Sequence, residues 1–506
     1  MGKHCALSMA ILLAFVSTAV NGASVANGAH ARCTGVLAAI ADRTADVVCF
    51  DSADLTTNNP ATTPANNSLP GLPPLAFTPI TDRAVISPNP PYRTPITRAV
   101  PGIQVSGRFA DDPSGEARFL LRFPDDWNGK LVVAGASGTR SEFNGDFAWS
   151  DYVIQKGYAY ASQNKGILNL RLVSASAAVP PSSSACRLNP NSHVWVDFYD
   201  DDPAKPFALW TQYIIEGARL AQVAVKGHYN AFPRRTYAVG TSNGGYQVRR
   251  AVEAAPDLFD GGVDWEGTLI HPLFNVLIDL PPAIKNFPTY VTSGFDPESA
   301  AAQAIEAAGY PPDLTTTVGG KTVSLWGLYW SQFWEVTQCQ WQKRFDPGWT
   351  TYTDGAGNVD GTGGYDYFAR AAADPSILAH VAAVSNTGKI KKPLITVAGT
   401  MDALLPIRRG ARAYEALVNA SREGNNAERE AQYRLYEVQN GNHIETFKDA
   451  FPQLEFIQPH AQHAFDLLVD HVENRAPLPP GQCIPKGGAV SASPNDPGHC
   501  PRLFVP

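Results

Sequence analysis

The motif that most restricts the fold of this chain is GTSNG at residues 240–244, a G-x-S-x-G sequence that is followed by a further glycine, Gly245. It comes after the short apolar run 236–239, which has the length of a buried strand, and before the helical pattern of 247–255. A sharp turn between a strand and a helix needs small flanking residues and holds its serine in a strained backbone conformation. The hydroxyl is then exposed at a helix N-terminus, where backbone N–H groups can stabilise an oxyanion. We therefore predict that Ser242 is a nucleophile.

Strands and helices alternate on both sides of this motif. Hydrophobic patterning predicts strands at 117–123, 130–134, 158–162, 236–239, 394–398 and 432–438, and helices at 152–157, 206–226 and 247–255. Short buried strands alternating with helices form a mostly parallel sheet that is covered on both faces. A nucleotide-binding fold would show the same alternation, but the chain has no G-x-G-x-x-G and no Walker sequence. The fold class is therefore α/β.

The N-terminus has the order of regions found in secretory signal peptides. A short basic start precedes the apolar run 6–20, and small residues follow with candidate cleavage after Gly22, Ala26 or Ala31. An uncleaved anchor is the alternative, although the run is short for a membrane span and no stop-transfer pattern follows. We predict a signal peptide at 1–31, a secreted or periplasmic chain, and no membrane partner.

Cysteine usage is consistent with export. Of seven cysteines, Cys5 lies in the predicted signal peptide and six remain, an even number that favours three disulfides in an exported chain. None has the spacing of a zinc site. Proximity along the sequence favours Cys33–Cys49 and Cys483–Cys500, which leaves Cys186–Cys339.

An aromatic-rich segment interrupts the alternation between 269 and 390. It contains five of the ten tryptophans: Trp326, Trp330, Trp334, Trp341 and Trp349. An inserted lid over an active site would explain its position and composition, whereas the rings could equally pack the core of the insertion itself. We expect most rings to be core and one or two to face substrate. The predicted divisions are a first core part (32–268), a lid (269–390) and a second core part with the C-terminal tail (391–506).

Two later residues lie where a serine nucleophile needs them. A serine hydroxyl reacts poorly unless a base takes its proton and an acid orients that base, and in folds with this serine turn the order is serine, acid, histidine. Asp402 follows the predicted strand 394–398, and His443 follows the strand 432–438. Asp264 ends the strand after the serine turn and competes for the role of the acid, or else serves as a turn or cap acid.

An oxyanion hole needs two N–H donors near the reacting carbonyl. The first is expected from Asn243, directly after the nucleophile. The second is expected from the small-residue loop 135–138, where we predict Ala136.

A Gly-rich acidic loop is the candidate metal site. Asp354, Asn358 and Asp360 place oxygen ligands close together, as Ca²⁺ prefers, although no EF-hand sequence is matched and an Asx-rich turn explains the loop equally well. No cofactor is required for the predicted chemistry. The formal net charge of −7 gives no basic surface, so nucleic acid is an unexpected partner.

The order of five stretches resembles the tannase and feruloyl-esterase branch of the α/β-hydrolases: 124–138 (PDDWNGKLVVAGASG), 157–166 (GYAYASQNKG), 240–263 (GTSNGGYQVRRAVEAAPDLFDGGV), 399–406 (GTMDALLP) and 441–447 (GNHIETF). The resemblance implies a secreted esterase of the α/β-hydrolase fold, with a lid inserted before the aspartate strand and often a lid calcium. Its motifs assign the triad to Ser242, Asp402 and His443.

One difference from that branch concerns the substrate. The branch commonly carries disulfide-linked cysteines directly before the nucleophile and the catalytic histidine, and this chain has Thr241 and Asn442 there. The Ser-Asn-Gly-Gly turn also resembles that of extracellular hydrolases of 3-hydroxybutyrate oligomers. The sequence therefore predicts a secreted serine carboxylic-ester hydrolase that forms an acyl-enzyme, acting on phenolic esters or on aliphatic polyester and oligoester fragments. A serine peptidase or amidase, and an inactive binding protein of this fold, are the alternatives.

Overall fold

The structure is a computed structural model that describes residues 31–62, 94–138, 141–167, 171–197, 206–349, 362–421 and 432–506. The predicted signal peptide, apart from its last residue, and the predicted calcium ligands Asp354, Asn358 and Asp360 lie outside these residues, so both remain predictions. Among the helices of the described ranges, none has the length and apolar character needed to cross a membrane.

A sheet of ten strands forms the centre of the described chain. The described strands are β1 (Thr44–Ser52), β2 (Gly102–Phe109), β3 (Arg118–Pro124), β4 (Lys130–Gly135), β5 (Ala159–Gln163), β6 (Arg171–Ser174), β7 (Cys186–Arg187), β8 (Trp195–Asp197), β9 (Arg235–Thr241), β10 (Gly261–Trp265), β11 (Thr315–Val318), β12 (Lys321–Ser324), β13 (Leu394–Gly399), β14 (Tyr433–Val438) and β15 (Gln482–Ile484). The order in the large sheet is β1-β2-β3-β5-β4-β9-β10-β13-β14-β15. From β5 to β15 the neighbours are parallel, while β1, β2 and β3 join one side antiparallel. The predicted mostly parallel sheet is confirmed.

Helices cover both faces of this sheet. They are α1 (Ala31–Ile40), α2 (Asp151–Ile154), α3 (Ala208–Tyr229), α4 (Asn243–Ala254), α5 (Val276–Thr292), α6 (Ala300–Ala307), α7 (Leu325–Tyr329), α8 (Glu335–Phe345), α9 (Tyr367–Ala373), α10 (Ser376–Ala383), α11 (Ala411–Ala420) and α12 (Gln458–Asn474). Short π-helical turns lie at Asp146–Ser150 and Trp330–Trp334, and 3₁₀ turns at Ala41–Arg43, Pro60–Thr62, Thr362–Gly364 and Glu445–Asp449.

Alternate residues of each strand belong to different hydrophobic clusters. In β4, Leu131 and Val133 pack with α1, α3, α4 and α11, whereas Val132 and Ala134 pack on the opposite face with α2 and α12. Since side chains alternate across a strand, a strand that is apolar at every position must be buried on both faces. The helices on both faces of the sheet therefore explain why residues 131–134 of this strand are all apolar.

The chain between β10 and β13 carries the insertion. It contains the hairpin β11–β12 and the helices α5 to α10. Trp326, Trp334 and Trp341 are buried in its cluster, while Trp330 and Trp349 are half-buried at its margin. The same cluster includes Met401 and Phe447, which belong to the loops after β13 and β14, so the insertion packs directly on the end of the sheet. That end carries the predicted catalytic loops.

All three predicted disulfides are confirmed. The pairs are Cys33–Cys49, Cys186–Cys339 and Cys483–Cys500. The middle pair joins the small sheet β6-β8-β7 to α8 of the insertion across 153 positions of sequence. It therefore fastens the insertion to the first part of the core.

Candidate active site

Ser242 lies at the turn between β9 and α4, as the motif predicts. Its φ of 57° and ψ of −121° are a backbone conformation that non-glycine residues rarely adopt. The glycines around it permit a close approach of three backbones. A Cβ added to Gly240 would lie 2.3 Å from the carbonyl oxygen of Gly244, and one added to Gly135 would lie 2.5 Å from the same oxygen. The strained serine is thus held by tight contact between β4, β9 and α4.

Asp402 and His443 meet at the ends of the neighbouring strands β13 and β14. Oδ2 of Asp402 lies 2.8 Å from Nδ1 of His443, which is the distance of a charge-assisted hydrogen bond. Oδ1 of Asp402 accepts from the N–H groups of Leu404 and Leu405, each at 2.7 Å. The carboxylate is therefore fixed by its own loop and presents one oxygen to the imidazole.

The backbone of Ser242 is hydrogen-bonded to the end of β10 and to the segment that follows it, which also approaches His443. Its N–H donates to the carbonyl of Trp265 at 2.9 Å, and its carbonyl accepts from Thr268 N–H at 3.1 Å. Between these two residues lies Glu266, whose Oε2 is 3.4 Å from Nδ1 of His443. Ser242 is 9% exposed, and its hydroxyl has no hydrogen-bond partner among the described residues. The hydroxyl therefore remains accessible at the edge of the sheet where the acid and base meet.

Asp264, the alternative acid, lies in a different environment. It is fully buried, and its Oδ2 lies 2.5 Å from Nε of Arg249 and accepts from the hydroxyl of Thr396. Its Oδ1 accepts from Gly267 N–H at 2.7 Å. A carboxylate with both oxygens engaged in this way stabilises the turn after β10 and does not contact the imidazole.

Glu266 is the residue near the histidine that sequence reasoning missed. It is 3% exposed, and Oε1 accepts from Gly399 N–H at 2.8 Å. Burial first, and the nearby charge of Asp402 second, raise the pKa of Glu266 well above its ordinary value. Its only sequence signal is its position two residues after Asp264, the alternative acid.

The oxyanion loop differs from the sequence prediction at one position. The N–H of Ala136 donates to Oε1 of the buried Gln247 at 2.9 Å, so it is already engaged and does not point to a substrate. The N–H of Ser137 donates to Oδ1 of Asn144. The N–H groups of Asn243 and Gly138 make no hydrogen bond with any described residue, and the Asn243 amide donates to the Gly138 carbonyl at 3.3 Å. The structure thus favours Gly138 over Ala136 as the second donor.

A buried lysine donates hydrogen bonds to the carbonyl groups of this loop. Lys165 is fully buried with a φ of 64°, and Nζ donates to the carbonyl oxygens of Ala136, at 3.0 Å, and Gly138. Its ammonium lies 5.4 Å from the centre of the Trp210 ring. Because an ammonium in an apolar interior is stable only with such acceptors, lysine and loop fix one another.

The insertion contacts the loops of the candidate acid and base. The indole N–H of Trp334 donates to the carbonyl of Ala403 at 2.7 Å, directly after Asp402. At the positions where the resembling branch carries cysteines, Thr241 accepts a hydrogen bond from Trp149 and Asn442 accepts one from Tyr329. Each of these two positions is therefore held by a side-chain hydrogen bond of its own.

The same group of side chains could hold a metal ion by distance alone. Oxygen and nitrogen atoms of Glu266, Asp402 and His443 lie within 4.8 Å of one another. The direct 2.8 Å contact between Asp402 and His443 is that of a hydrogen bond, since two ligands of one ion present their lone pairs to the metal and not to each other. The arrangement is that of an acid and a base.

Comparison with known proteins gives partial sequence matches. A family model described as 3HB-oligomer hydrolase matches residues 354–502. A D-(-)-3-hydroxybutyrate oligomer hydrolase of Burkholderia thailandensis is 39% identical over 111 residues, which are 21% of this chain and 15% of that protein. A protein of the same name from Burkholderia mallei is 39% identical over 110 residues, or 20% and 15% of the two chains. The matched part spans about 15% of the length of these relatives.

Comparison of structures extends over most of the chain. An esterase from Aspergillus oryzae aligns with a TM-score of 0.51 at 15% identity, covering 91% of this chain and 93% of that one. Feruloyl esterase B from Aspergillus oryzae aligns with a TM-score of 0.50 at 12% identity, covering 86% and 88%. The chain has the α/β-hydrolase fold, so the resemblance predicted from its motifs is confirmed at the level of the fold.

Proposed function

We propose that this chain is a serine carboxylic-ester hydrolase that acts through an acyl-enzyme. The observation that carries the proposal is the 2.8 Å hydrogen bond between Asp402 and His443 at the edge of the sheet where Ser242 is held in its strained turn. Nucleophile, acid and base follow one another along the chain in the order that this fold uses. The names of the partial relatives, oligomer hydrolases, support the same chemistry.

In the proposed acylation, Oγ of Ser242 attacks the ester carbonyl carbon and Nε2 of His443 takes the hydroxyl proton. Asp402 holds the Nδ1–H side of the ring, fixes the tautomer and stabilises the imidazolium that forms. The carbonyl oxygen becomes an oxyanion and accepts from the N–H groups of Asn243 and Gly138. His443 then returns its proton to the leaving alcohol, which departs as the acyl-enzyme forms.

The second half of the reaction uses the same groups. A water molecule gives a proton to His443 and attacks the acyl carbon, and the oxyanion forms again at Asn243 and Gly138. Collapse of the intermediate breaks the bond to Ser242, whose oxygen recovers a proton from the imidazolium. The products are a carboxylic acid and the regenerated serine.

The proposed substrates are aliphatic oligoesters of the 3-hydroxybutyrate type. The support is that residues 354–502, matched by the 3HB-oligomer hydrolase family model, include both Asp402 and His443. The feruloyl esterase shares only the fold, so phenolic esters are the second candidate. We further propose that the insertion acts as a lid, because its Trp334 donates a hydrogen bond to the carbonyl of the residue that directly follows Asp402.

Export from the cytoplasm is part of the proposal. Three disulfides are formed by six cysteines, and such pairs persist in oxidising compartments. The apolar N-terminal run supports a signal peptide. Detection of the protein, shortened at its N-terminus, in the medium or periplasm of the producing cell tests this part.

The test of the activity is a panel of esters given to the purified protein. The panel holds a 3-hydroxybutyrate trimer, p-nitrophenyl butyrate, methyl ferulate and methyl gallate, with an amide analogue of the butyrate. Ser242→Ala and His443→Ala should abolish turnover, whereas His463→Ala, which removes an exposed imidazole on α12, should retain it. Preference for the trimer supports the aliphatic substrate, and preference for methyl ferulate selects the phenolic one. Turnover that survives in Ser242→Ala, or no turnover of any ester, overturns the proposed function.

A further inference from the structure

A second carboxyl group, that of Glu266, lies near the same nitrogen of His443 that Asp402 contacts. Oε2 of Glu266 is 3.4 Å from Nδ1 of His443, the nitrogen that Asp402 contacts at 2.8 Å. The side chains of Glu266 and Asp402 are only 2% and 1% exposed, and that of His443 6%. One imidazole nitrogen therefore lies within reach of two carboxyl groups in a site nearly without solvent.

The carboxyl of Glu266 is held in this orientation from both ends. Its backbone follows β10 with a φ of 49°, and its N–H donates to the carbonyl of Val397 at 2.8 Å. At the other end, Oε1 accepts from Gly399 N–H on the neighbouring strand. A glutamate fixed at its backbone and at one oxygen can move its second oxygen very little.

That second oxygen is left without a hydrogen bond. Among the described residues no donor binds Oε2, although the atom is buried. Buried polar atoms in folded proteins nearly always have a partner, and exceptions concentrate at functional sites. A purely structural glutamate would satisfy both oxygens, as Asp264 does nearby.

We propose that Glu266 is a second acid of the candidate triad, a positioning residue that takes the Nδ1–H of His443 when Asp402 does not hold it. The inference rests on the proposed function, because it assigns a role relative to His443 as the base. In the resting geometry, burial and the nearby charge of Asp402 both disfavour the charged form of Glu266.

Loss of the Asp402 charge reverses the roles. The charge of Asp402 is one of the two main causes that raise the pKa of Glu266, and it disappears in Asp402→Asn. Glu266 then ionises at lower pH than before and offers a carboxylate within 3.4 Å of Nδ1. Among the described residues, His443, Glu445 and Tyr329 also interact with the charge of Glu266; His443 favours the charged form of Glu266 and Glu445 disfavours it.

The experiment is a double-mutant cycle with Asp402→Asn, Glu266→Gln and both together. Both substitutions keep the oxygen that accepts from the backbone, so the fold is retained. In Asp402→Asn this is Oδ1, which accepts from Leu404 and Leu405, and in Glu266→Gln it is Oε1, which accepts from Gly399. The readouts are kcat and KM for the best ester of the panel and the rate at which Ser242 is labelled by a fluorophosphonate. If Asp402→Asn does not fold, Asp402→Ser replaces it, because a serine hydroxyl also accepts from the following N–H groups.

We expect the loss of kcat in the double variant to exceed the product of the losses in the two single variants. Glu266→Gln lowers kcat by at most about tenfold and Asp402→Asn by about a hundredfold, whereas the double variant loses about 10⁴-fold, the loss known for a triad without its acid. The residual kcat of Asp402→Asn should rise with pH as Glu266 ionises, and this dependence should vanish in the double variant.

Two other results have different meanings. If the wild type depends on Ser242 but Asp402→Asn and the double variant are equally active, the role of Glu266 is overturned and the proposed esterase function stands. Absence of Ser242-dependent turnover and labelling in the wild type overturns the proposed function, and the role of Glu266 with it.

Discussion

The hydroxyl of Tyr329 donates a 2.9 Å hydrogen bond to Oδ1 of Asn442, the residue directly before His443. It also accepts from the N–H of Ile444, directly after His443, at 3.3 Å. One phenol at the end of α7 therefore holds both peptide neighbours of the candidate base. The insertion and the histidine loop are joined by this contact, at the position where the resembling branch carries one of its two cysteines.

Removal of that hydroxyl should lower catalysis more than stability. We expect Tyr329→Phe to reduce kcat about fivefold with little change in KM, because a buried hydrogen bond contributes about 1 kcal/mol and here it orients the base. Steady-state kinetics on the best ester of the panel measure the effect.

The matched control is Tyr310→Phe, which removes a buried hydroxyl of the insertion that bonds to the Asp279 carbonyl at 3.2 Å. That hydrogen bond is made to α5 and does not involve the histidine loop. Equal losses of kcat in the two variants would show that the hydroxyl of Tyr329 has no special relation to His443.

The sequence predicted the parts of this protein that depend on local pattern. The turn at Ser242, the strand before it and the helix after it are encoded by adjacent residues, so glycine spacing and hydrophobic runs were sufficient. Asp402 and His443 were predicted because each follows a strand of a parallel sheet, and carboxyl ends of parallel strands lie at one edge. Two disulfides followed from short separations, and Cys186–Cys339 was the pair that the even count left over.

The parts that were missed depend on contacts between distant residues. Ala136 was predicted as a donor, but its N–H binds Gln247, which is 111 positions away and carries no local signal of this partner. Glu266 was overlooked beside Asp264, because the direction of its side chain follows from a left-handed backbone that no periodicity reveals. The helices of the insertion were likewise not predicted individually, although Trp326, Tyr329, Trp330, Phe333 and Trp334 recur at helical spacing.

Lys165 should be necessary for the geometry of the oxyanion loop. Lys165→Met removes the donor to the Ala136 and Gly138 carbonyls and leaves both oxygens buried without it. We expect kcat to fall between about tenfold and a hundredfold, the range for disturbed oxyanion stabilisation, with KM much less affected.

The control for this change is Lys156→Met, whose ammonium bonds to Asp466 at the surface. Kinetics and thermal unfolding of both variants separate the local effect from a general loss of charge. An unchanged kcat in Lys165→Met would mean that the loop keeps its shape without the ammonium.

The Cys186–Cys339 disulfide should contribute most to stability among the three pairs. It closes 153 positions of sequence, against 16 and 17 for the others, and the entropy removed from the unfolded chain grows with loop length. Replacing both cysteines by serine should lower the free energy of unfolding by about 2 to 5 kcal/mol.

Denaturant unfolding of this double variant is compared with that of Cys33→Ser/Cys49→Ser. A greater loss in the second variant would indicate that native packing, and not loop closure, determines the contribution of each disulfide.

Asp151 should make the stability depend on pH in a predictable direction. It is buried, it accepts from the N–H and hydroxyl of Thr57, and burial raises its pKa to about 7. An acid whose pKa is raised on folding favours the native state while both states are protonated. As the pH rises from about 4 to about 7 the unfolded chain ionises first, so this contribution is lost across that interval.

Asp151→Asn removes the titration and keeps an oxygen for the Thr57 N–H. We therefore expect the difference in Tm between Asp151→Asn and the wild type to shift in favour of the variant from pH 5 to pH 8. Thermal unfolding of both proteins over that interval measures the difference, in which the titrations of all other groups cancel. A difference independent of pH would show that the carboxyl of Asp151 ionises in the native protein as readily as in the unfolded chain.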